Sequence, residues 1–231
     1  MEASLHHLAA RDPESAIEHW LADIDTPEFR AANFRRAAMA RPRAARSVIP
    51  FLTWEVIGRL LASPNPVDLL VVRNGSLLER RPANGAEAEA LFRDGYSLVL
   101  RRCERHDELL RRLADGFGRH LDGEVSIQIY ATPSTYRSFG WHYDCEDVFI
   151  AQTSGVKEYY LRENTVNPRP TLDAMPRDMH FERETTATQA TTLVPGDWLY
   201  IPRGWWHVAR AVESALSISV GVLGPDARAH S

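Results

Sequence analysis

The sequence is poor in cysteine, and it has neither a long apolar run nor a strong excess of charge. Cys103 and Cys145 are the only cysteines, too few for a disulfide framework and not spaced as a thiolate metal site. No segment is long and apolar enough to span a bilayer, and the N-terminus has no basic segment followed by an apolar run. We therefore expect a soluble, cytoplasmic protein with no membrane partner.

The charge and length set further bounds. A net charge of -4 at pH 7 argues against general affinity for nucleic acid. With 231 residues, 44% of them hydrophobic, the chain can bury a core of its own. We therefore predict that residues 1–231 form a single domain. The sequence leaves the oligomeric state open, with a homodimer as one alternative.

The first part of the chain, residues 1–122, is predicted to be rich in helices. Asp12, Pro13 and Glu14 are typical of a helix start, and an amphipathic run follows Thr53 as far as Leu61. The same patterns predict helices over 86–94 and 107–120 and strands over 68–73 and 96–101.

The second part, residues 123–224, has the pattern of a β domain. Strands are predicted over 125–130, 148–152, 156–162, 191–194, 198–201 and 215–222. Many short strands with no crossover helices between them favour a sandwich or barrel. The sequence therefore predicts a mostly β fold with α-helical additions, in which the β part is a double-stranded β-helix, or jelly roll. Residues 163–190 match no regular element, and such an insertion is typical of a lid, a substrate-binding loop or a disordered segment.

Two short motifs supply a set of candidate metal ligands. His142 and Asp144 are two positions apart, so on an extended strand both side chains point to the same face. A third ligand must come from elsewhere in the fold, and His207 follows a turn among the later strands, which face the earlier ones across a jelly roll. Two imidazoles and one carboxylate form the facial triad that binds non-haem Fe(II) and leaves its opposite face open to co-substrate and oxygen. These residues indicate an oxygenase.

The other histidines lack a carboxylate at strand spacing, and we expect them on the surface or in the core. They are His6, His7, His19, His106, His120, His180 and His230. His180 is set apart from them because its loop could cover the site. Trp141 and Tyr143 alternate with the candidate ligands, so we expect both to face away from the metal.

The sequence around these motifs resembles the JmjC-type 2-oxoglutarate oxygenases of the cupin group. The first block comprises Gln-Ile-Tyr-Ala-Thr-Pro from Gln128, Phe-Gly-Trp-His-Tyr-Asp, and Asp-Val-Phe-Ile-Ala-Gln-Thr-Ser-Gly-Val-Lys-Glu-Tyr-Tyr-Leu. The second block covers 193–207 and 214–221, and it is similar to the closing strands of the same family. The pattern is most similar to the ribosomal oxygenase branch, whose members hydroxylate protein side chains.

The resemblance implies a binding site for 2-oxoglutarate. Lys157 stands where the family places a basic residue that binds the distal carboxylate, and a buried carboxylate needs a cationic partner. We expect a short hairpin to return Lys157 towards the metal strand. Tyr130 matches a tyrosine that contacts co-substrate or substrate, and Ser219 matches a serine of the closing strand. Gln128 stands where the ribosomal branch commonly carries Asn.

The resemblance therefore implies a dioxygenase that uses Fe(II), 2-oxoglutarate and O2 to hydroxylate a C–H bond of a protein or peptide side chain. The ribosomal branch carries further C-terminal domains that this sequence lacks, so a hydroxylase of a free amino acid or a peptide natural product stays open. Lysine demethylation uses the same oxidant, but the nearest motifs are those of hydroxylases. An alternative of another class is a non-catalytic cupin that binds a metal or a ligand.

Overall fold

The computed structural model describes residues 12–79, 81–134, 139–174 and 181–228. The expectations for His6, His7, His180 and His230 lie outside these ranges. None of the helices in the described ranges has the length and apolar character needed to cross a membrane.

Each α-helix of the described ranges begins after a residue whose side chain accepts a backbone N–H from the first turn. The helices are α1 (Pro13–Ile24), α2 (Pro27–Ala32), α3 (Trp54–Leu61), α4 (Gly85–Arg93) and α5 (Glu108–His120). The capping residues are Asp12, Thr26, Thr53, Asn84 and Asp107. The helix starts predicted at Asp12 and Thr53 are therefore confirmed, whereas α2 is an additional helix that the sequence patterns did not indicate.

The β part consists of two antiparallel sheets. The strands are β1 (Met39–Arg41), β2 (Asp68–Arg73), β3 (Ser76–Leu78), β4 (Ser97–Arg101), β5 (Glu124–Thr132), β6 (Asp147–Ser154), β7 (Lys157–Arg162), β8 (Gln189–Leu193), β9 (Trp198–Ile201), β10 (Trp206–Ala211) and β11 (Ala215–Leu223). The larger sheet has the order β1-β9-β6-β11-β5-β4-β2-β3, and the smaller sheet has the order β10-β7-β8. This arrangement confirms the predicted mostly β fold with N-terminal helices. Strands β1, β3 and β10 were not predicted.

The larger sheet has a helix-covered face and a face turned towards the smaller sheet. Phe149 of β6 packs with its ring centroid 5.2 Å from that of Phe117 on α5, which in turn lies 5.1 Å from Trp20 on α1. Val148 and Ile150 belong instead to a second apolar cluster between the two sheets. Strand alternation therefore separates a helix-side core from the space between the sheets, where the candidate site lies.

The hairpin predicted before Lys157 is wrong, because β6 and β7 belong to different sheets. Strand β6 pairs with β9 and β11, whereas β7 pairs with β8 and β10. Gly155 makes the turn with φ +66°, and a Cβ at this position would lie 2.0 Å from the carbonyl oxygen of Ser214. A short turn can join strands across a sandwich as well as within one sheet. The crossover places Lys157 on the wall opposite the larger sheet.

Gly155→Ala is expected to lower the free energy of unfolding by about 3 kcal/mol, because the new methyl group would overlap Ser214 and the backbone is left-handed. Gly75→Ala is the matched control, since Gly75 has φ +81° and no atom near its virtual Cβ. The control carries only the conformational cost of about 1 kcal/mol. Urea denaturation measures both variants, and equal losses would show that the crossover turn tolerates a side chain.

Candidate metal centre

The structure brings His142, Asp144 and His207 together. Each offers one ligand atom, and these atoms lie within 4.8 Å of one another. The Oδ2 atom of Asp144 is 3.4 Å from Nε2 of His207, and the two imidazole centroids are 4.2 Å apart. Neighbouring ligand atoms around an ion with bonds of about 2.1 Å are about 3 Å apart, so small side-chain adjustments suffice for all three to bind one ion.

His142 and Asp144 do not lie on the regular strand that we predicted. The structure has an isolated antiparallel bridge here, in which the backbone N–H groups of His142 and His207 each donate to the other residue's carbonyl, at 3.1 and 2.8 Å. The carbonyl of Asp144 accepts a further bond from the N–H of Gly204, at 2.9 Å. Backbone hydrogen bonds to the His207 segment therefore fix the position of this region, which has no continuous β ladder.

Hydrogen bonds to backbone carbonyls select one tautomer of each imidazole. Nδ1 of His142 lies 2.8 Å from the carbonyl oxygen of Gly140, and Nδ1 of His207 lies 3.0 Å from that of Trp205. A carbonyl oxygen can only accept, so each Nδ1 carries the hydrogen and each neutral ring keeps its lone pair on Nε2. Both Nε2 atoms are therefore ready to bind a metal ion.

The protonation states also suit a divalent cation. Burial raises the pKa of Asp144, but the neighbouring His207 and His142 outweigh it and lower the value to about 2. Burial, followed by the proximity of His207, lowers the pKa of His142. Burial likewise acts to lower the pKa of His207, but the Asp144 carboxylate prevails and raises it. The carboxylate is therefore ionised at neutral pH, and a cation would replace the proton that His207 attracts.

A cavity of about 460 Å³ opens beside these residues, between the two sheets. Its wall includes the remaining residues singled out from the sequence, namely Gln128, Tyr130, Lys157 and Ser219. This volume lies within the range of small-molecule sites.

Lys157 is a buried cation in this wall. The residue is only 4% exposed, and its Nζ atom lies 5.4 Å from the ring centroids of both Tyr130 and Tyr159. No carboxylate of the described residues forms an ion pair with it, and burial lowers its pKa to about 8. Because a buried charge without a counter-ion is costly, this position favours an anionic ligand.

The polar floor of the cavity comes from β5 and β11. The hydroxyl of Tyr130 donates to Oε1 of Gln128 at 3.0 Å. The register pairs Gln128 with Ser219 and Tyr130 with Ser217. Ser217 also lines the cavity, although we did not predict it. Its position two residues before Ser219 was the available signal, because side chains repeat on one face every second residue.

Glu146 is a second cavity residue that the sequence reasoning missed. Its carboxylate accepts a hydrogen bond from the Ser126 hydroxyl at 3.4 Å. Burial, followed by the nearby Asp144, raises its pKa to about 7. A Cβ at Gly221 would lie 2.2 Å from Oε2 of Glu146, so the glycine makes room for this carboxylate. The spacing of two residues from Asp144 could have indicated it.

The expectation for the aromatic neighbours of the ligands holds for one of them. Tyr143 is buried, and its ring packs edge-on against Trp206 with centroids 4.7 Å apart. Trp141, in contrast, lines the cavity and stacks on Phe181 at 4.2 Å. The prediction that Trp141 faces away from the site is wrong, because strand alternation does not extend through this irregular segment.

A jelly roll whose sheets enclose two histidines and a carboxylate defines a cupin-type protein with a candidate metal centre. The family model described as the JmjC domain matches residues 105–229, more than half of the chain, and the protein therefore belongs to the JmjC family.

Relatives and solved structures agree with this assignment. The chain is 30% identical over 135 residues to the bifunctional lysine-specific demethylase and histidyl-hydroxylase NO66 of Dictyostelium discoideum, covering 57% of this chain and 26% of that protein. It is 32% identical over 113 residues to ribosomal oxygenase 2 of Bos taurus, covering 48% and 23%. The chain thus spans about a quarter of the length of these curated relatives. The ribosomal oxygenase YcfD of Escherichia coli, in complex with cobalt and 2-oxoglutarate, shares the fold with a TM-score of 0.63 and 22% identity, over 86% of this chain and 51% of that one.

Proposed function

We propose that the protein is an Fe(II)- and 2-oxoglutarate-dependent dioxygenase that hydroxylates a side chain of a protein or peptide. One observation carries the proposal: a cluster suited to a divalent cation shares one cavity with the buried Lys157, which has no carboxylate partner in the part of the chain that the structure describes. Membership of the JmjC family supports it. So does the likeness to YcfD, which has been solved with cobalt and 2-oxoglutarate bound.

In this proposal, His142 and His207 would hold Fe(II) through Nε2 and Asp144 through its carboxylate. A set of three protein ligands would leave part of the metal's coordination sphere open to co-substrate. When bound, iron and 2-oxoglutarate supply the oxidising power for C–H hydroxylation, with succinate and carbon dioxide as co-products. The carbonyl acceptors at the two Nδ1 atoms would keep both rings oriented.

Lys157 would bind the distal carboxylate of 2-oxoglutarate. Its ammonium group lies beside the Tyr130 ring, so the Tyr130 hydroxyl could turn from Gln128 to donate to the same carboxylate. Ser219 is a further donor along this floor. The apolar side chains of Val148 and Ile150 would limit the water around the reacting groups.

The names of the relatives support a protein substrate. NO66 is described as a histidyl-hydroxylase, and the Bos taurus relative and YcfD are described as ribosomal oxygenases. We infer that a side chain of a polypeptide enters the cavity. A free amino acid would be the substrate in the alternative reading.

The test is succinate release with Fe(II), 2-oxoglutarate and O2, with and without peptides drawn from ribosomal proteins. We expect peptide-stimulated succinate release and a mass gain of one oxygen atom on the peptide. Stimulation by free amino acids but not by peptides would favour the small-substrate alternative. Absence of 2-oxoglutarate binding in calorimetry with Mn(II) present would favour the alternative of a non-catalytic cupin.

A further inference from the structure

We propose that the insertion between β7 and β8 is the outer support of the metal centre, and that Glu184 within it is a positioning residue for the ligands. This inference rests on the proposed function for the role of the cluster. The insertion would then do more than cover the cavity. Its described ends, residues 163–174 and 181–188, contact the chain neighbours of all three ligands.

The segment around His142 and Asp144 touches both ends of the insertion. The hydroxyl of Tyr143, the residue between the two ligands, accepts a hydrogen bond from the Asn167 amide at 3.1 Å. Trp141, on the other side of His142, stacks on Phe181 with ring planes only 8° apart. The first end of the insertion thus contacts one neighbour of His142, and the second end contacts the other.

The segment that carries His207 is attached through Glu184. The indole N–H of Trp206, the residue directly before His207, donates to Oε2 of Glu184 at 3.2 Å. Trp206 is fully buried and also packs against Tyr143. One indole ring therefore lies between Glu184 and the segments of all three ligands, so a displacement of Trp206 would move His207 on one side and Tyr143 on the other.

The surroundings of Glu184 require a carboxylate. Glu184 is 5% exposed, and its carboxylate accepts five hydrogen bonds, from the Trp206 indole, the N–H and hydroxyl of Thr165, and the N–H groups of Thr185 and Thr186. Burial alone would raise its pKa, but the backbone donors of Thr165, Thr186 and Thr185 lower it to about 2. Every partner is a donor, and an ionised carboxylate is a side chain that only accepts.

Glutamine at this position would fail for a chemical reason. Oε2 accepts from Thr165 and Trp206, and Oε1 accepts from Thr165, Thr185 and Thr186, so either orientation of an amide turns its NH2 towards donors. The segment would have to shift, and Trp206 would lose its acceptor. Partners that orient metal ligands from outside typically change metal affinity by about 10–100-fold when they are removed.

If the insertion affects metal binding, metal binding must also affect the insertion. If the insertion raises metal affinity, metal binding stabilises the insertion by the same factor. We expect the amides of Thr165, Thr185 and Thr186 to exchange hydrogen more slowly with Mn(II) present than without it.

The experiment compares Mn(II) binding by calorimetry in the wild type, Glu184→Gln and Glu163→Gln. Glu163 lies in the same insertion, its side chain is exposed, and only its backbone carbonyl contacts Thr186, so the substitution leaves the hydrogen bonds to Glu184 in place. We expect Glu184→Gln to bind Mn(II) about 10–100-fold more weakly, and Glu163→Gln to bind it as the wild type does. Wild-type affinity in a folded Glu184→Gln variant, with only its unfolding free energy reduced, would reduce Glu184 to a scaffold residue and overturn the proposal.

A second variant tests the role of Glu184 if Glu184→Gln does not fold. Trp206→Phe removes the indole N–H and retains an aromatic ring, and we expect it to weaken Mn(II) binding. Unchanged binding in Trp206→Phe would also overturn the proposal. The wild type separates the two hypotheses: no Mn(II) or 2-oxoglutarate binding by the wild type would refute the proposed function, whereas wild-type binding with no effect of either variant would refute only the role of Glu184.

Discussion

Asp144→Ala is expected to reduce succinate release to the background of the assay. Asp144 is the only carboxylate of the candidate cluster, and its charge counters that of a bound cation; in the free protein its Oδ2 atom lies 3.4 Å from Nε2 of His207. Without it, two neutral imidazoles remain, and a chelate of two ligands holds Fe(II) far more weakly than one of three. His142→Ala and His207→Ala are expected to have the same effect. Steady-state rates at saturating 2-oxoglutarate measure all three variants.

A histidine away from the cavity supplies the control. His120 also contacts a carboxylate, with Nδ1 3.0 Å from Asp25, but it lies at the end of α5 and outside the cavity wall. His120→Ala is expected to retain the wild-type rate. Because loss of activity could also follow from unfolding, circular dichroism of each variant is needed. Full activity in any folded variant of the three ligands would refute their assignment.

Lys157→Met is expected to weaken 2-oxoglutarate binding about 30-fold or more, because removing one partner of a buried charge pair typically costs about 2–5 kcal/mol and each 1.4 kcal/mol is about tenfold in affinity. The same substitution should stabilise the protein when no 2-oxoglutarate is bound. Methionine is of similar length without the charge, so the desolvation cost of the ammonium disappears and the free energy of unfolding should rise by about 2 kcal/mol. Calorimetric titration with Mn(II) present and urea denaturation measure the two effects.

The binding of 2-oxoglutarate should also depend on the protonation of Lys157. Its pKa is lowered by burial to about 8, from 10.5 in the unfolded chain. The folded protein therefore releases this proton at lower pH than the unfolded one, so the free protein gains stability between these values as pH rises. Binding needs the charged form, so affinity is expected to be constant below about pH 7.5 and to fall about tenfold per unit above about pH 8.

Lys157→Arg provides the comparison for this pH dependence. Arginine stays charged throughout this range, so binding by that variant should not fall between about pH 8 and 9. Tight binding by Lys157→Met, or the same pH profile in wild type and Lys157→Arg, would contradict the assignment of Lys157. Loss of binding with loss of folded structure would be visible in the urea experiment on the same samples.

Much of the fold was predictable because its signals are local. A cap at Asp12 or Thr53 and the helical spacing of apolar residues mark where helices begin, and alternation marks most of the strands. Strand β10 escaped prediction because the alternation of apolar and polar residues in its sequence, Trp-His-Val-Ala-Arg-Ala, breaks at Val208 and Ala209. The crossover at Gly155 escaped because a short turn does not specify which sheet the next strand joins.

The candidate site was predictable to the extent that spacing and family resemblance name residue types. His142 and Asp144 are marked by their separation, and Lys157 by its place in a motif. Neither spacing nor a motif indicates Glu184 in the sequence. Its role depends on donors from Thr165 and Trp206, two distant parts of the chain that meet Glu184 only in the folded protein.

The sequence by itself determined the β-rich second half, the helix starts, the residue types of the candidate metal cluster and the resemblance to JmjC oxygenases, because each depends on neighbouring residues or fixed spacing. Only the tertiary structure decided that β6 and β7 lie in opposite sheets, that Lys157 has no carboxylate partner among the described residues, and that Glu184 contacts Trp206. Those three features arise from contacts between segments far apart in the chain, and local periodicity carries no information about which segments will meet.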